Sequence, residues 1–88
     1  MHLILYSKPG CHLCEGLQTK LEQIQELDLH LEVRDITTQE EWQAAYEFEI
    51  PVLYLEMEGH FRPLPRPSPR ATVQQLTQML QKYTQPGG

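Results

Sequence analysis

The chain has 88 residues, of which 40% are hydrophobic and 22% are charged, so we expect one folded domain over residues 1–88. Its formal net charge of −5 disfavours nucleic acid as a partner, because binding to phosphates requires a basic surface. It lacks the roughly 18 consecutive apolar residues of a transmembrane helix and the basic start of a signal peptide, so we expect a cytoplasmic, monomeric protein without a membrane partner.

The first third of the chain predicts a strand, a helix and a second strand. An apolar run within residues 2–6 predicts a buried strand. A helix is predicted to start near Cys11, because apolar residues follow at spacings of three and four: Leu13, Leu17, Leu21, Ile24 and Leu27. Within it, Gly16 costs up to about 1 kcal/mol, and we expect it to allow close packing. Residues 27–33 alternate apolar and polar and predict a half-solvated edge strand, parallel to the first.

The middle of the chain predicts a short helix and a pair of strands. Thr38-Gln39-Glu40-Glu41 is a capping-box pattern, and the helix that it opens must end before Pro51. Residues 52–55 are apolar on both faces, as in a central strand. A turn at Glu58-Gly59 then leads into a returning strand that begins at His60.

A proline-rich segment precedes the last predicted helix. Proline stands at every second position from Pro63 to Pro69, which forbids a helix and predicts a stiff, extended connection. A second capping box, residues 72–75, opens a helix with one apolar face: Val73, Leu76, Leu80 and Tyr83. Residues 85–88 are expected to fray. The predicted order of elements is β-α-β-α-β-β-α, which is one α/β unit.

Cys11 and Cys14 are the only cysteines of the chain. The N-terminus of a helix stabilises a thiolate and lowers cysteine pKa values from about 8.5 to roughly 3.5–7.5. We therefore expect Cys11, at the helix start, to be the nucleophile. Cys14 lies one turn further on the same face, within disulfide reach, and is expected to resolve the mixed disulfide. A protonated His12 would favour the thiolate further.

The CxxC spacing alone leaves other roles open, including two small buried residues or a metal site. Structural zinc requires four ligands, and no second ligand pair with metal spacing accompanies the cysteines, so no metal site is expected within one chain. A metal or iron–sulfur cluster held by the cysteines of two chains remains an alternative. A binding module that uses the fold without turnover is another.

A CxxC that opens a helix beside a βαβ unit is the thioredoxin-like redox arrangement. The stretch YSKPGCHLC, residues 6–14, and the sequence Ile50-Pro51-Val52 resemble small bacterial glutaredoxin-like proteins of the thioredoxin-fold superfamily. The resemblance implies a four-stranded mixed sheet in the order 2-1-3-4, with an antiparallel last strand and three helices. It also implies a cis bond between Ile50 and Pro51, which would leave the Ile50 backbone free to pair with an extended substrate.

The resemblance further implies a thiol–disulfide oxidoreductase without a tightly bound cofactor. Its substrates would be protein disulfides or glutathione mixed disulfides, and a glutathione- or thioredoxin-type reductase would supply electrons. Lys8 matches the lysine with which glutaredoxins bind the glycine carboxylate of glutathione. The Gly-Gly-x-Asp turn of glutaredoxins is absent, since residues 67–72 are PSPRAT. Arg66, Arg70 and the N–H groups near Ala71 and Thr72 are the remaining candidates for binding a carboxylate.

Overall fold

The computed structural model describes residues 1–84, and the predicted fraying of residues 85–88 falls outside them. The described residues form four strands and three α-helices in the predicted order, with a short 3₁₀ helix, Ile36–Thr38, before α2. The elements are β1 His2–Ser7, α1 His12–Glu22, β2 His30–Asp35, α2 Glu40–Tyr46, β3 Val52–Met57, β4 His60–Pro63 and α3 Val73–Thr84. None of the helices within residues 1–84 combines the length and the apolar character needed to cross a membrane.

The strands form one mixed sheet in the order β2-β1-β3-β4, as predicted. Strands β1 and β2 are parallel, and β3 and β4 are antiparallel. The resemblance implied an antiparallel arrangement only for the last strand. In the structure β3 is also antiparallel to its neighbour β1. The seven residues of α2 span about 10 Å, half the length of a six-residue strand. The chain therefore enters β3 at the end of the sheet where β2 finishes.

Both faces of the sheet are covered, and β1 contributes to each. One hydrophobic cluster lies between the sheet and helices α1 and α3, and its fully or nearly fully buried members are Leu3, Leu5, Leu21, Leu53, Leu55, Leu76 and Leu80. A smaller cluster on the other face is built from Ile4, Tyr6 and Ile36, against which Trp42, Tyr46 and Tyr54 pack. The predicted central strands are thus confirmed, since β1 and β3 carry apolar side chains on both faces.

The boundaries of α1 and β2 differ from the prediction. Helix α1 ends at Glu22, so Ile24 and Leu27 contribute to the core from the following loop. Strand β2 begins at His30 because its partner β1 begins at His2, which lies opposite His30, and residues 27–29 therefore have no strand to pair with. The edge position and partial exposure of β2 are as predicted.

The two predicted capping boxes have different outcomes. The second is present: Gln75 N–H donates to Thr72 Oγ1 at 3.0 Å, and Thr72 N–H donates to Gln75 Oε1 at 2.9 Å. The first is wrong, because Thr38 ends the 3₁₀ helix and its hydroxyl donates to the Asp35 carbonyl at 2.7 Å. Residue 39 is consequently the N-cap of α2, and its side chain makes no capping hydrogen bond within the described residues.

A charged network crosses the sheet on the face of the smaller cluster. Arg34 donates to the Tyr6 hydroxyl at 2.9 Å, and its guanidinium carbon lies 5.4 Å from the centroid of the Trp42 ring. Glu32 accepts a hydrogen bond from Arg34 and contacts His2 at 3.1 Å. The hydrogen bond from Arg34 is the main reason why the pKa of Glu32 lies below its ordinary value of 4.5.

The lowered pKa of Glu32 makes part of the stability pH-dependent. A carboxyl group with a lower pKa in the folded than in the unfolded state stabilises the fold above the unfolded pKa, and this stabilisation is lost as the pH falls through the folded pKa. At pH 7 we expect Glu32→Gln to lower the free energy of unfolding by no more than about 1 kcal/mol, because the Glu32 side chain is 41% exposed. Urea unfolding at pH 7, 4 and 3 should show the difference from wild type decreasing as the pH falls below 4.5.

The exposed Glu26 provides the matched control, since Glu26→Gln removes the same charge from a loop. We expect no comparable destabilisation from this change at pH 7. A wild-type advantage over Glu32→Gln that did not decrease between pH 7 and pH 3 would contradict the assignment to the carboxylate charge.

Candidate active site

The two cysteines lie at the end of the loop that connects β1 to α1. Gly10 has a φ of +83°, a conformation that favours glycine, and the Cys11 N–H donates to the Lys8 carbonyl at 3.2 Å to close the turn. Cys11 is the N-cap residue of α1, so its side chain lies at the positive end of the helix. Cys11 and Cys14 form a disulfide, with their Cα atoms 5.3 Å apart.

The two sulfurs occupy different environments. Cys14 is 1% exposed and belongs to the buried set, whereas Cys11 is partly exposed. The Cys14 N–H donates to Cys11 Sγ at 3.2 Å, so one of the N–H groups that a helix start leaves unpaired is directed at this sulfur. A substrate approaching from solvent therefore meets Cys11 first.

The charged residues predicted for the site are exposed. Lys8 lies on the turn before Cys11. The side chain of His12 is 94% exposed, and its Nδ1 lies 3.7 Å from a carboxylate oxygen of Glu15, one turn further along α1. Sequence reasoning missed this partner, although the i, i+3 spacing on a helix would have identified it. In this arrangement a protonated His12 pairs with Glu15.

The Ile50–Pro51 bond is cis, as the resemblance implied. The expectation of a free Ile50 backbone is wrong. The Ile50 N–H donates to the Tyr46 carbonyl at 3.1 Å, because the last turn of α2 extends to this residue. The Ile50 carbonyl accepts a hydrogen bond from Arg66 Nη2 at 2.9 Å, and the same nitrogen also donates to the Glu49 carbonyl.

The proline-rich segment, residues 63–70, is held against the body of the protein at two places, in its middle and at its C-terminal end. Arg66 makes the contacts near Ile50 described above. Lys20 Nζ, on α1, donates to the carbonyls of Pro69 at 2.9 Å and Ala71 at 2.7 Å. The sequence did not predict this role of Lys20, because Lys20 and Pro69 are 49 positions apart and their contact depends on the path of the chain in three dimensions.

The carboxylate site suggested near Ala71 and Thr72 is not supported by the hydrogen bonds. The Ala71 N–H donates to the Ser68 carbonyl at 2.9 Å, and the Thr72 N–H donates to the capping side chain of Gln75. The Arg70 N–H donates to Ser68 Oγ at 3.1 Å. These backbone donors are already used within the fold, and the prediction of a carboxylate held by them is wrong.

A cleft of about 230 Å³ lies beside the CxxC, between α1, Pro51 and the proline-rich segment. Its apolar walls consist of Leu13, Leu17, Pro51, Pro67, Pro69 and Leu76. Three basic residues also line it: His12, Lys20 and Arg66. Leu13 has its sequence position between the two cysteines and is 53% exposed, so the cleft opens next to the disulfide.

Gly16 also lines the cleft, and the structure does not support the predicted close packing at this residue. Among residues 1–84, no atom outside its immediate neighbours and the backbone of its own helix lies within 4 Å of the position that a Cβ would occupy. The helical backbone at Gly16 has no positive φ either. The glycine therefore leaves open space where a side chain would project.

Two comparisons with known proteins agree with the fold described above. Residues 2–81 match the model of a family described as "Glutaredoxin-like domain (DUF836)". The fold is similar to that of thioredoxin 1 from the thermophilic eubacterium Thermosipho africanus TCF52B, with a TM-score of 0.59 over 94% of this chain and 93% of that chain. The two sequences are 16% identical, so this likeness concerns the fold alone. No curated protein matches the sequence significantly.

Proposed function

The chain belongs to the glutaredoxin-like domain (DUF836) family, and from that membership and its CxxC we propose that it is a thiol–disulfide oxidoreductase that reduces disulfides in other molecules. The observation that carries the proposal is the Cys11–Cys14 disulfide, which joins a partly exposed sulfur at a helix N-terminus to a buried one. Such a pair combines an accessible nucleophile with a protected second thiol, which are the two parts of a dithiol mechanism.

The proposed cycle begins with the reduced protein. The Cys11 thiolate attacks one sulfur of the substrate disulfide, a mixed disulfide forms, and the other substrate sulfur leaves and takes up a proton. Cys14 then loses its proton and attacks Cys11 Sγ. The mixed disulfide breaks, the second substrate sulfur leaves as a thiol, and Cys11 and Cys14 become a disulfide. Two electrons have passed to the substrate, and a dithiol donor or two molecules of glutathione must return them.

The residues around Cys11 support its role as the nucleophile. The helix N-terminus and the N–H of Cys14 both favour negative charge on this sulfur once the disulfide has opened. We assign Lys8 to attracting the carboxylate of a glutathione mixed disulfide, and His12 to the same positive field. Pro51 belongs to the proposed substrate-binding surface as a wall of the cleft, whereas the Ile50 main chain is already hydrogen-bonded and is left out of it.

The proposed substrates are protein disulfides or glutathione mixed disulfides in the cytoplasm, with no tightly bound cofactor. Two alternative routes supply the electrons in this proposal: glutathione or a thioredoxin-type reductase. NADPH oxidation should be followed with bis(2-hydroxyethyl) disulfide as substrate, either with glutathione and glutathione reductase or with thioredoxin reductase. We expect the protein to accelerate oxidation in at least one of the two systems.

Dithiothreitol with the same substrate serves as the donor-independent control. Activity with dithiothreitol but with neither enzymatic system would contradict both donor routes, but it would still agree with a protein that reduces disulfides. No acceleration over the background in any of the three would contradict the proposed function.

A further inference from the structure

Recognition of substrate at this site requires a surface other than the Ile50 main chain. An extended substrate that added a strand there would need a free N–H and a free carbonyl. The Ile50 N–H already donates to the Tyr46 carbonyl, so a substrate strand finds no free donor there, and the Ile50 carbonyl already accepts one hydrogen bond from Arg66. Resting on the thiol–disulfide function proposed above, we propose that the cleft recognises polypeptide substrates by taking one apolar side chain flanked by an acidic residue.

The size and lining of the cleft fit one side chain. Its volume of about 230 Å³ is below the range of about 300–1,000 Å³ that small-molecule and cofactor sites occupy. The aliphatic and proline walls offer contacts to an apolar group and few to a polar one. Because the cleft opens at Leu13, beside the disulfide, a side chain close in sequence to the substrate cysteine reaches it.

The charge around the cleft is opposite to that of the whole chain. Among residues 1–84 the lining contains the cations Lys20 and Arg66 but no Asp or Glu, although the net charge of the chain is −5. His12 also lines the cleft, but it lies 3.7 Å from Glu15 and is not counted here. Lys20 and Arg66 donate hydrogen bonds to backbone carbonyls, but these neutral partners do not cancel their positive charges at the cleft. A carboxylate next to the bound apolar side chain complements this field, and a lysine in that place does not.

Gly16 gives independent support for a binding role of the open space. Glycine within a helix is less favourable than alanine by roughly 0.5–1 kcal/mol in the general case. Neither a close neighbour nor a positive φ requires glycine here. Its presence has the effect of keeping the cleft open, since any larger residue would extend into it.

The walls are held in place before a substrate arrives. The prolines restrict the segment, and Arg66 and Lys20 tie it to the α2–β3 loop and to α1. A preformed cleft loses little conformational freedom when it binds a side chain, which favours selectivity.

The test uses single-turnover reduction of peptide mixed disulfides by the pre-reduced protein in excess. Each synthetic peptide carries one cysteine joined to 2-mercaptoethanol. A single leucine or serine is placed in turn at each of the three positions on either side of the cysteine. The residue next to that leucine or serine is aspartate or lysine. The second-order rate constant for each peptide is divided by that for bis(2-hydroxyethyl) disulfide. At one position or more, we expect the ratio for leucine to exceed that for serine at least about tenfold. Replacing aspartate by lysine should lower it by about threefold.

Gly16→Leu fills the cleft and should lower the leucine ratio at least about tenfold. The matched control is Thr19→Leu, which adds the same side chain to an exposed position of α1 outside the cleft and should leave the ratio unchanged. Gly16→Ala, a smaller addition, should have a smaller effect than Gly16→Leu, which keeps the test valid if the leucine variant does not fold.

Equal ratios for leucine and serine at all positions in the wild-type protein would overturn the proposal. A leucine preference that survives in a folded Gly16→Leu variant would overturn it as well. Failure of the wild-type protein to reduce bis(2-hydroxyethyl) disulfide is a different result, because it refutes the oxidoreductase function on which the inference rests.

Discussion

Replacing Cys11 by serine should abolish disulfide reduction, whereas replacing Cys14 by alanine should leave a protein that accumulates as a mixed disulfide with its substrate. The difference follows from exposure, because only Cys11 is accessible from solvent and Cys14 is 1% exposed. Without Cys11 no accessible cysteine sulfur remains to attack the substrate, and we expect the rate to fall by at least about a thousandfold. Without Cys14 the first step proceeds and the second has no nucleophile.

Intact mass spectrometry after incubation with a cysteine-containing peptide disulfide measures both outcomes. Cys14→Ala should gain the mass of one substrate half, and the double variant Cys11→Ser/Cys14→Ala should gain none. Alanine is preferred over serine at position 14, since a buried serine hydroxyl without a partner costs about 1–3 kcal/mol. Equal residual activity in the two single variants, or trapping by Cys11→Ser, would contradict the assigned roles.

Replacing Leu80 by alanine should lower the free energy of unfolding by about 2–5 kcal/mol, a large part of the roughly 5–15 kcal/mol of a typical native protein. Leu80 is 0% exposed and lies in the main core cluster, where α3 packs against the sheet. The lost side chain leaves a cavity that the surrounding strands can fill only in part.

Leu13 offers the matched control for Leu80, because both residues belong to apolar helix faces identified in the sequence. Leu13 is half-exposed at the mouth of the cleft, and Leu13→Ala should change the stability by no more than about 0.5 kcal/mol. Denaturation by guanidinium chloride of the two variants and wild type provides the comparison. Similar losses from both changes would contradict the placement of these helices on the sheet.

Most features that depend on neighbours in sequence were predicted well, with the capping box at Thr38 as an exception. The apolar run of β1 predicted a strand buried on both faces. The reciprocal hydrogen bonds of Thr72 and Gln75 require only that a helix begins at these residues. The CxxC at a helix start is likewise a local pattern, and its disulfide needs only residues three apart.

Features that depend on the path of the chain were not predictable from local patterns. Leu13 fits the apolar stripe of α1, yet the first turn of this helix extends beyond the core towards the cleft. The occupied Ile50 carbonyl depends on Arg66, sixteen residues later, and the fixed proline-rich segment depends on Lys20. Each of these contacts joins segments whose proximity only the sheet order determines.

A redox titration of the purified protein across ratios of reduced to oxidised glutathione tests the central claim most directly. Thiols would be alkylated after equilibration and counted by intact mass. The proposed function predicts a single two-electron transition between dithiol and disulfide at roughly −180 to −270 mV, the range of thioredoxin-fold redox proteins that act on other disulfides. A glutathione adduct on Cys11 during the transition would favour the glutathione route. A pair that stays reduced, or stays oxidised, across the whole range would contradict the claim that Cys11 and Cys14 exchange electrons with a substrate.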